Sequence, residues 1–304
     1  MVALSPCIKK FYDSQLNCFP RHKAFLDKML RGYTDGELAK LEELAKTLMM
    51  IVGPDIDTYC QCYRWFAREI LKETVYFQET GEYRYSSATE VFKNIYSDSE
   101  YMSKYNKGLL LSNLWWKNHF DCLSFYQKEF VPVISGSHRH LEIGPGHGIY
   151  LLYALQAHSN LKVEAWDLSP ESLKKTAQCL LLSGFQDGAQ LEIKDLFLAE
   201  QSGIYGSIVL SEVLEHIDRP ADALRTIHRL LEPEGRLFVN MPINSPAIDH
   251  VFNLPHPDDV CKFIEDKGFY VEKKQYIPQS NSSLDVAIRN KLSINVVLSA
   301  VRAD

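Results

Sequence analysis

Glu142, Asp167 and Asp195 each stand at or near the end of a short, largely apolar run, and the three runs follow one another at the spacing of strands joined by helices. The first, His140-Leu141-Glu142-Ile143, breaks into Gly144-Pro145-Gly146-His147-Gly148. Glycine has no Cβ and tolerates positive φ, so such a turn lets a small ligand approach the backbone closely. The second run, Leu161 to Trp166, leads to Asp167. An acid at the carboxyl edge of that strand accepts hydrogen bonds from both hydroxyls of a ribose, and Asp167 is the expected ribose ligand. The third, Leu191 to Lys194, leads to Asp195, suited to the exocyclic amine of adenine, with Leu196 and Phe197 placed to sandwich the purine. Glu142 suits a cationic amino group and would repel a pyrophosphate, so the expected ligand is a zwitterionic nucleoside. The turn reads G-x-G-x-G and lacks the dinucleotide spacing.

Elements that would hold these acids are legible around them. Strands are expected at Arg139 to Ile143, Lys162 to Asp167, Gln190 to Lys194, Gly206 to Ser211, Arg236 to Met241, Tyr270 to Gln275 and Ser293 to Val301. Helices are expected at Ile149 to Ala157, Pro170 to Ser183, Pro220 to Leu231 and Pro257 to Lys267. Pro220 and Pro257 suit helix starts, and Gly235 and Gly268 suit the turns after helices. Alternation of short strands and helices is the mark of a doubly wound sheet. Before Pro132 the period is helical. Thr34 and Glu37 form a capping-box pattern ahead of Leu38, Leu41, Leu44 and Leu48, and Pro54 suits the first turn of the next helix. A polar interruption from Gly81 to Ser87 precedes further helix from Asp98 to Phe130.

Bulk properties exclude several classes. A chain of 304 residues with 46% hydrophobic content has material for one conventional core plus a smaller region. The net charge of -6 lacks the basic footprint of a nucleic-acid binder. No stretch reaches the apolar length of a membrane span and Met1 to Lys10 carries no secretory core, so a cytoplasmic location is expected. Seven cysteines, at 7, 18, 60, 62, 122, 179 and 261, are scattered; Cys60 and Cys62 diverge around a helix, and free buried thiols are expected rather than a zinc pair.

Together with Leu210-Ser211-Glu212-Val213-Leu214-Glu215-His216-Ile217, these motifs make the chain resemble the class I S-adenosylmethionine-dependent methyltransferases, in the branch that includes the ubiquinone-biosynthesis enzymes. The resemblance covers roughly Tyr101 to the C-terminus. It implies an α/β fold, a doubly wound seven-stranded Rossmann-like sheet with the last strand inserted antiparallel between the fifth and sixth. Residues 1–131 would form a helical substrate cap or homodimerisation lobe, and 132–304 the cofactor domain. The implied cofactor set is Glu142, Gly144, Gly146, Gly148, Asp167, Leu168, Asp195, Leu196, Phe197, Ser211 and Tyr105.

A sulfonium methyl is already electrophilic, so the protein's task is to align an acceptor and remove a proton where the nucleophile carries one. His216, His250 and His256 are the candidate bases near neutral pH. A sharper reading of the same segment resembles E-x-x-E-H enzymes that hold a divalent ion such as Mg²⁺, with Glu212, Glu215, His216 and His250 as ligands. Tyr101, Trp115, Trp116 and His119 offer an aromatic set for a planar or apolar substrate. The expected activity is methylation of an oxygen, nitrogen or stabilised carbon of a small metabolite. RNA or protein methylation, and a cofactor-binding protein without turnover, are the alternatives.

Overall fold

The computed structural model describes residues 4–136, 138–158, 160–200 and 202–303; the first three residues of the Met1 to Lys10 segment lie outside them. Among the described residues seven α-helices precede the first strand: α1 (Pro6–Cys18), α2 (Lys23–Arg31), α3 (Asp35–Val52), α4 (Ile56–Thr80), α5 (Ala88–Val91), α6 (Ser99–Trp115) and α7 (Lys117–Phe125). The capping box at α3 is present: Thr34 N–H donates to Glu37 Oε2 at 2.7 Å and Glu37 N–H to Thr34 Oγ1 at 3.3 Å. Helix α3 also fixes α1. Glu42 accepts from the Ile8 N–H at 3.1 Å and the Cys7 N–H at 3.2 Å, placing a negative charge at the positive end of α1. Pro54 lies in a short 3₁₀ turn ahead of α4, not within it. All seven cysteines are free, five of them buried.

Helices α4 and α6 touch backbone to side chain at Gly108. A Cβ there would stand 2.5 Å from Phe66 Cβ and 2.9 Å from the Cys62 carbonyl. Gly108→Ala is therefore expected to force the helices apart at a cost of about 1–3 kcal/mol. A lowered denaturant midpoint checks this; an unchanged midpoint would show that the contact yields freely.

The sheet follows, as β1 (Arg139–Ile143), α8 (Ile149–Ala157), β2 (Lys162–Asp167), α9 (Pro170–Leu182), β3 (Ala189–Ile193), β4 (Tyr205–Ser211), α10 (Pro220–Leu230), β5 (Leu231–Ile243), α11 (Pro257–Glu265), β6 (Phe269–Pro278), α12 (Leu284–Arg289) and β7 (Ile294–Arg302). Strand order is β3-β2-β1-β4-β5-β7-β6. The first five are parallel, and β7 runs antiparallel between β5 and β6, as the resemblance implied. The direction of winding reverses between β1 and β4, which opens a crevice at the carboxyl ends of these strands.

Two departures have clear causes. β5 begins at Leu231, because that fully buried side chain pairs with Tyr205 directly after α10. The extra residues before Arg236 form a bulge around Glu234, at φ 59°, so Gly235 lies inside the strand instead of in a turn. Helix α12, absent from the sequence reading, is a single short segment capped by Ser283, whose Oγ accepts from Val286 N–H.

Apolar side chains cover both faces of the sheet. One face carries Leu141, Ile208, Leu237 and Val239 against Leu224 and Ile227 of α10 and Val260 and Ile264 of α11. The other carries Val163, Val209, Phe238 and Val297, and this cluster runs without interruption into Trp115, Phe130, Leu111 and Leu41 of the helical segment. The N-terminal helices thus share a core with the sheet, so α6 and α7 are held rigidly over its carboxyl edge. Among the described residues no helix is long and apolar enough to cross a membrane.

Candidate active site

A cavity of about 250 Å³ opens at the switch point, bounded below by the ends of β1, β2 and β4 and above by α6, α7 and the segment around α5. The glycine turn forms its floor. Gly144 has φ 68° and its N–H donates to the Trp166 carbonyl at 2.8 Å; a Cβ there would meet Val213 at 2.8 Å. Only glycine meets both demands without strain. Gly144 and Gly146 line the cavity, whereas Gly148 does not. It caps α8 at φ 80° and faces Thr176 of α9, where a Cβ would lie 3.0 Å from the backbone, so its role is packing.

The three acids occupy the ends of adjacent strands and all reach the cavity. Glu142 is buried at 2% exposure, and its Oε2 has no hydrogen-bond partner. Burial, and then the neighbouring Asp167, push its carboxyl well above the usual range. Asp167 accepts from the Ser169 N–H at 2.8 Å. Burial raises its pKa to about 6 against the pull of backbone N–H groups from Ser169, Gly146 and Leu168. Asp195 accepts from the Phe197 N–H at 2.9 Å, which turns the chain so that Leu196 and Phe197 stand beside it. Leu168 and Ser211 also line the wall.

The upper half is apolar. Tyr105, Met102 and Leu109 of α6, with Phe92 and Tyr96 of the preceding segment, form it. Tyr105 and His119 reach the cavity as expected, but the rest of the proposed aromatic set does not. Trp115 is fully buried among the helices and Trp116 donates Nε1–H to Tyr63 at 2.8 Å while stacking on Phe66. Tyr101 meets Trp65 edge-on and stacks on Tyr105, and it does not line the cavity. Helical period explains this: 105 and 109 share a face, while 115 turns inward to the core.

Of the candidate bases, His216 and His250 line the cavity and His256 does not. His256 caps α11: its Nδ1 accepts from the Asp258 N–H at 3.3 Å and its N–H donates to Asp259. His216 Nδ1 lies 2.9 Å from the Asp249 carbonyl oxygen. A carbonyl only accepts, so Nδ1 carries a proton, and Nε2 is the ring atom able to accept one. His250, its ring centroid 4.9 Å from that of His216, is pushed down to about 3 by burial and by His216, and stays neutral. Asp249 accepts from Tyr96 O–H at 3.1 Å, tying the upper wall to the loop below.

The E-x-x-E-H segment divides. Glu212, at φ 56°, has Oε1 bound by Asn240 Nδ2 at 2.9 Å and Asn295 Nδ2 at 2.6 Å. These amides bind its carboxylate, and Glu212 is not among the residues whose ligand atoms converge, unlike the four-residue set expected. Among the described residues Glu215, His216 and His250 bring one potential ligand atom each within 4.8 Å of one another. Glu215 is fully buried and neither carboxyl oxygen has a hydrogen-bond partner; His216 Nε2 is 3.6 Å from Oε1. Burial and then Glu212 hold its carboxyl well above the usual range. Phe92, Tyr96, Met102 and Asp249 escaped the sequence reading, because each reaches the site through long-range packing with no local motif.

Comparison with known proteins bears on the family and the fold. A family profile described as a methyltransferase domain matches residues 114–272. The ubiquinone biosynthesis O-methyltransferase of Xanthomonas euvesicatoria pv. vesicatoria (strain 85-10) is 30% identical over 159 residues, which are 50% of this chain and 65% of that protein. The same enzyme of Xylella fastidiosa (strain 9a5c) is 32% identical over 146 residues, 45% of this chain and 58% of that one. The chain therefore spans 58–65% of the length of these relatives. Among solved structures, mitomycin 7-O-methyltransferase superposes with a TM-score of 0.54 at 15% identity, covering 83% of this chain and 72% of that one. Geranyl diphosphate methyltransferase, in complex with geranyl diphosphate and sinefungin, gives 0.51 at 16%, covering 66% and 83%. Both likenesses concern the fold.

Proposed function

From the premise that the chain belongs to the methyltransferase-domain family, we propose that it moves a methyl group from S-adenosylmethionine to a hydroxyl oxygen of a small, largely apolar metabolite. The observation that carries this is the partnerless Oε2 of buried Glu142, beside Asp167 on the next strand and with Asp195 on the one after, all facing one cavity. A buried acid without a partner is costly unless a cation meets it. An ammonium would do so, while Asp167 takes the ribose hydroxyls and Asp195, with Leu196 and Phe197, the adenine. The cofactor supplies an electrophilic methyl when bound. The chain's own work is positioning and proton removal. Phe92, Tyr96, Met102, Tyr105 and Leu109 enclose an apolar acceptor and exclude water, and His216 Nε2, the ring nitrogen not bound to Asp249, takes a hydroxyl proton. O-methylation is favoured by the curated relatives, which are O-methyltransferases.

A second reading is favoured by the stranded carboxyl of Glu215. Together with His216 and His250 it would hold a divalent ion, which lowers the pKa of a coordinated hydroxyl. His216 then serves as ligand instead of proton acceptor.

Incubation with methyl-labelled S-adenosylmethionine and separate small-molecule, RNA and protein fractions tests the main proposal. Label is expected in the small-molecule fraction. Label confined to RNA or protein, or calorimetric binding without transfer into any fraction, would overturn it.

A further inference from the structure

Ser112 and His119 settle between them which ring nitrogen carries a proton. Ser112 Oγ is fully buried, 2.6 Å from the Leu109 carbonyl oxygen and 2.7 Å from His119 Nδ1. A hydroxyl has one hydrogen and a carbonyl can only accept. Two oxygens so close repel unless a proton lies between them, so the Ser112 O–H points at Leu109 and its lone pair faces the ring. His119 Nδ1 is then the donor. Burial, with His147 nearby, lowers the imidazole pKa to about 3, so the ring is neutral and Nε2 keeps a bare lone pair. Trp116 packs edge-on against the ring with centroids 4.9 Å apart, which fixes its plane. His119 lines the cavity, and with Nδ1 committed to Ser112, Nε2 is the nitrogen left for a bound molecule.

We propose that His119 Nε2 accepts a hydrogen bond from the ammonium group of the bound nucleoside, as a second acceptor for the charge that Glu142 meets. The neighbouring helix α6 lies over the glycine turn: Asn113 Nδ2 is 3.4 Å from His147 Nε2, and a Cβ at Gly146 would stand 3.5 Å from Asn106 Oδ1. That turn follows Glu142 directly and its His147 is near enough to act on the His119 ring, so in this proposal the amino-acid end of the ligand is the part that reaches His119. An ammonium offers three donors and needs more than one acceptor; a carboxylate at the same place would face a lone pair. His119 is in this account a specificity residue for a zwitterionic donor, an assignment that rests on the nucleoside reading of the same cavity.

Calorimetric titration of S-adenosylhomocysteine, and of its analogue lacking only the α-amino group, into the wild type, His119→Leu and His119→Gln tests the assignment. His119→Leu is expected to weaken S-adenosylhomocysteine by about tenfold or more and leave the analogue unchanged. His119→Gln, whose amide oxygen can accept, is expected to retain part of the preference for the amine. A wild type that binds neither compound removes the nucleoside reading itself. A wild type that binds, with His119→Leu changing both compounds equally or neither, overturns the His119 assignment alone. Because two ligands are compared on one variant, partial unfolding does not mimic the expected result.

Discussion

Asp167→Ala is expected to lower the affinity for S-adenosylhomocysteine by at least about 100-fold while the chain stays folded. Each ribose hydroxyl donating to an ionised carboxylate contributes roughly 1.5–3 kcal/mol, and two are lost together. Asp167→Asn should fall nearly as far, since its amide offers one acceptor atom where the carboxylate offers two. The pH dependence follows from the same group. Burial raises Asp167 from its ordinary 3.8 to about 6 in the free protein, so affinity is expected to be level above neutrality and to fall as pH drops through about 6. The linked stability has the opposite sense. An acid whose folded pKa is raised opposes folding once ionised, so the free fold is weakened as pH rises through this window. Asp167→Asn should therefore stabilise the unliganded protein at pH 7.5 by about 3 kcal/mol, with the gain vanishing near pH 4. Calorimetry across pH, with thermal melts of the free protein, checks both. Affinity unchanged in Asp167→Ala would remove Asp167 from the ribose site.

The parts of this site that were legible in the sequence are those set by the chain's immediate neighbours. Glu142, Asp167 and Asp195 end strands whose alternation is local, and the glycine turn is a short-range demand for positive φ, so spacing alone arranged them. Insertion of β7 between β5 and β6 was reached by resemblance, since an antiparallel strand of nine mostly buried residues has no periodicity that names its neighbours. The upper wall was misread for a related reason. Aromatic content marked the segment from Tyr101 to His119, yet which ring faces ligand depends on how α6 is rotated against α4, and that rotation is set at Gly108 by contact with Phe66, 42 positions earlier in the chain. Glu212 was misread because its amide partners, Asn240 and Asn295, lie on other strands. The separation of Glu212 from Glu215 is a tertiary fact.

That separation leads to the second large effect. Glu215 is enclosed with neither oxygen hydrogen-bonded, and its main-chain carbonyl accepts from Val251 and Phe252 N–H at 2.8 and 3.0 Å, which ties the loop over it to the residue. His216 Nε2 lies 3.6 Å from Glu215 Oε1. Such a carboxyl is either kept protonated at a standing cost to the fold or matched by a cation. If a divalent ion is the match, Mg²⁺, Mn²⁺ or Zn²⁺ at about a hundred times its dissociation constant should stabilise the wild type by about 2.7 kcal/mol, a rise in Tm of about 5 °C for a chain of this size. The ion must displace a proton from a carboxyl held well above its usual range, so the rise should be larger at pH 8.5 than at pH 6. Glu215→Met removes the stranded oxygens and one ligand together. It is expected to melt higher than the metal-free wild type and to lose the response to the ion. A wild type whose Tm no ion moves at either pH, with Glu215→Met still more stable, would leave Glu215 a neutral buried acid and return His216 to the role of proton acceptor.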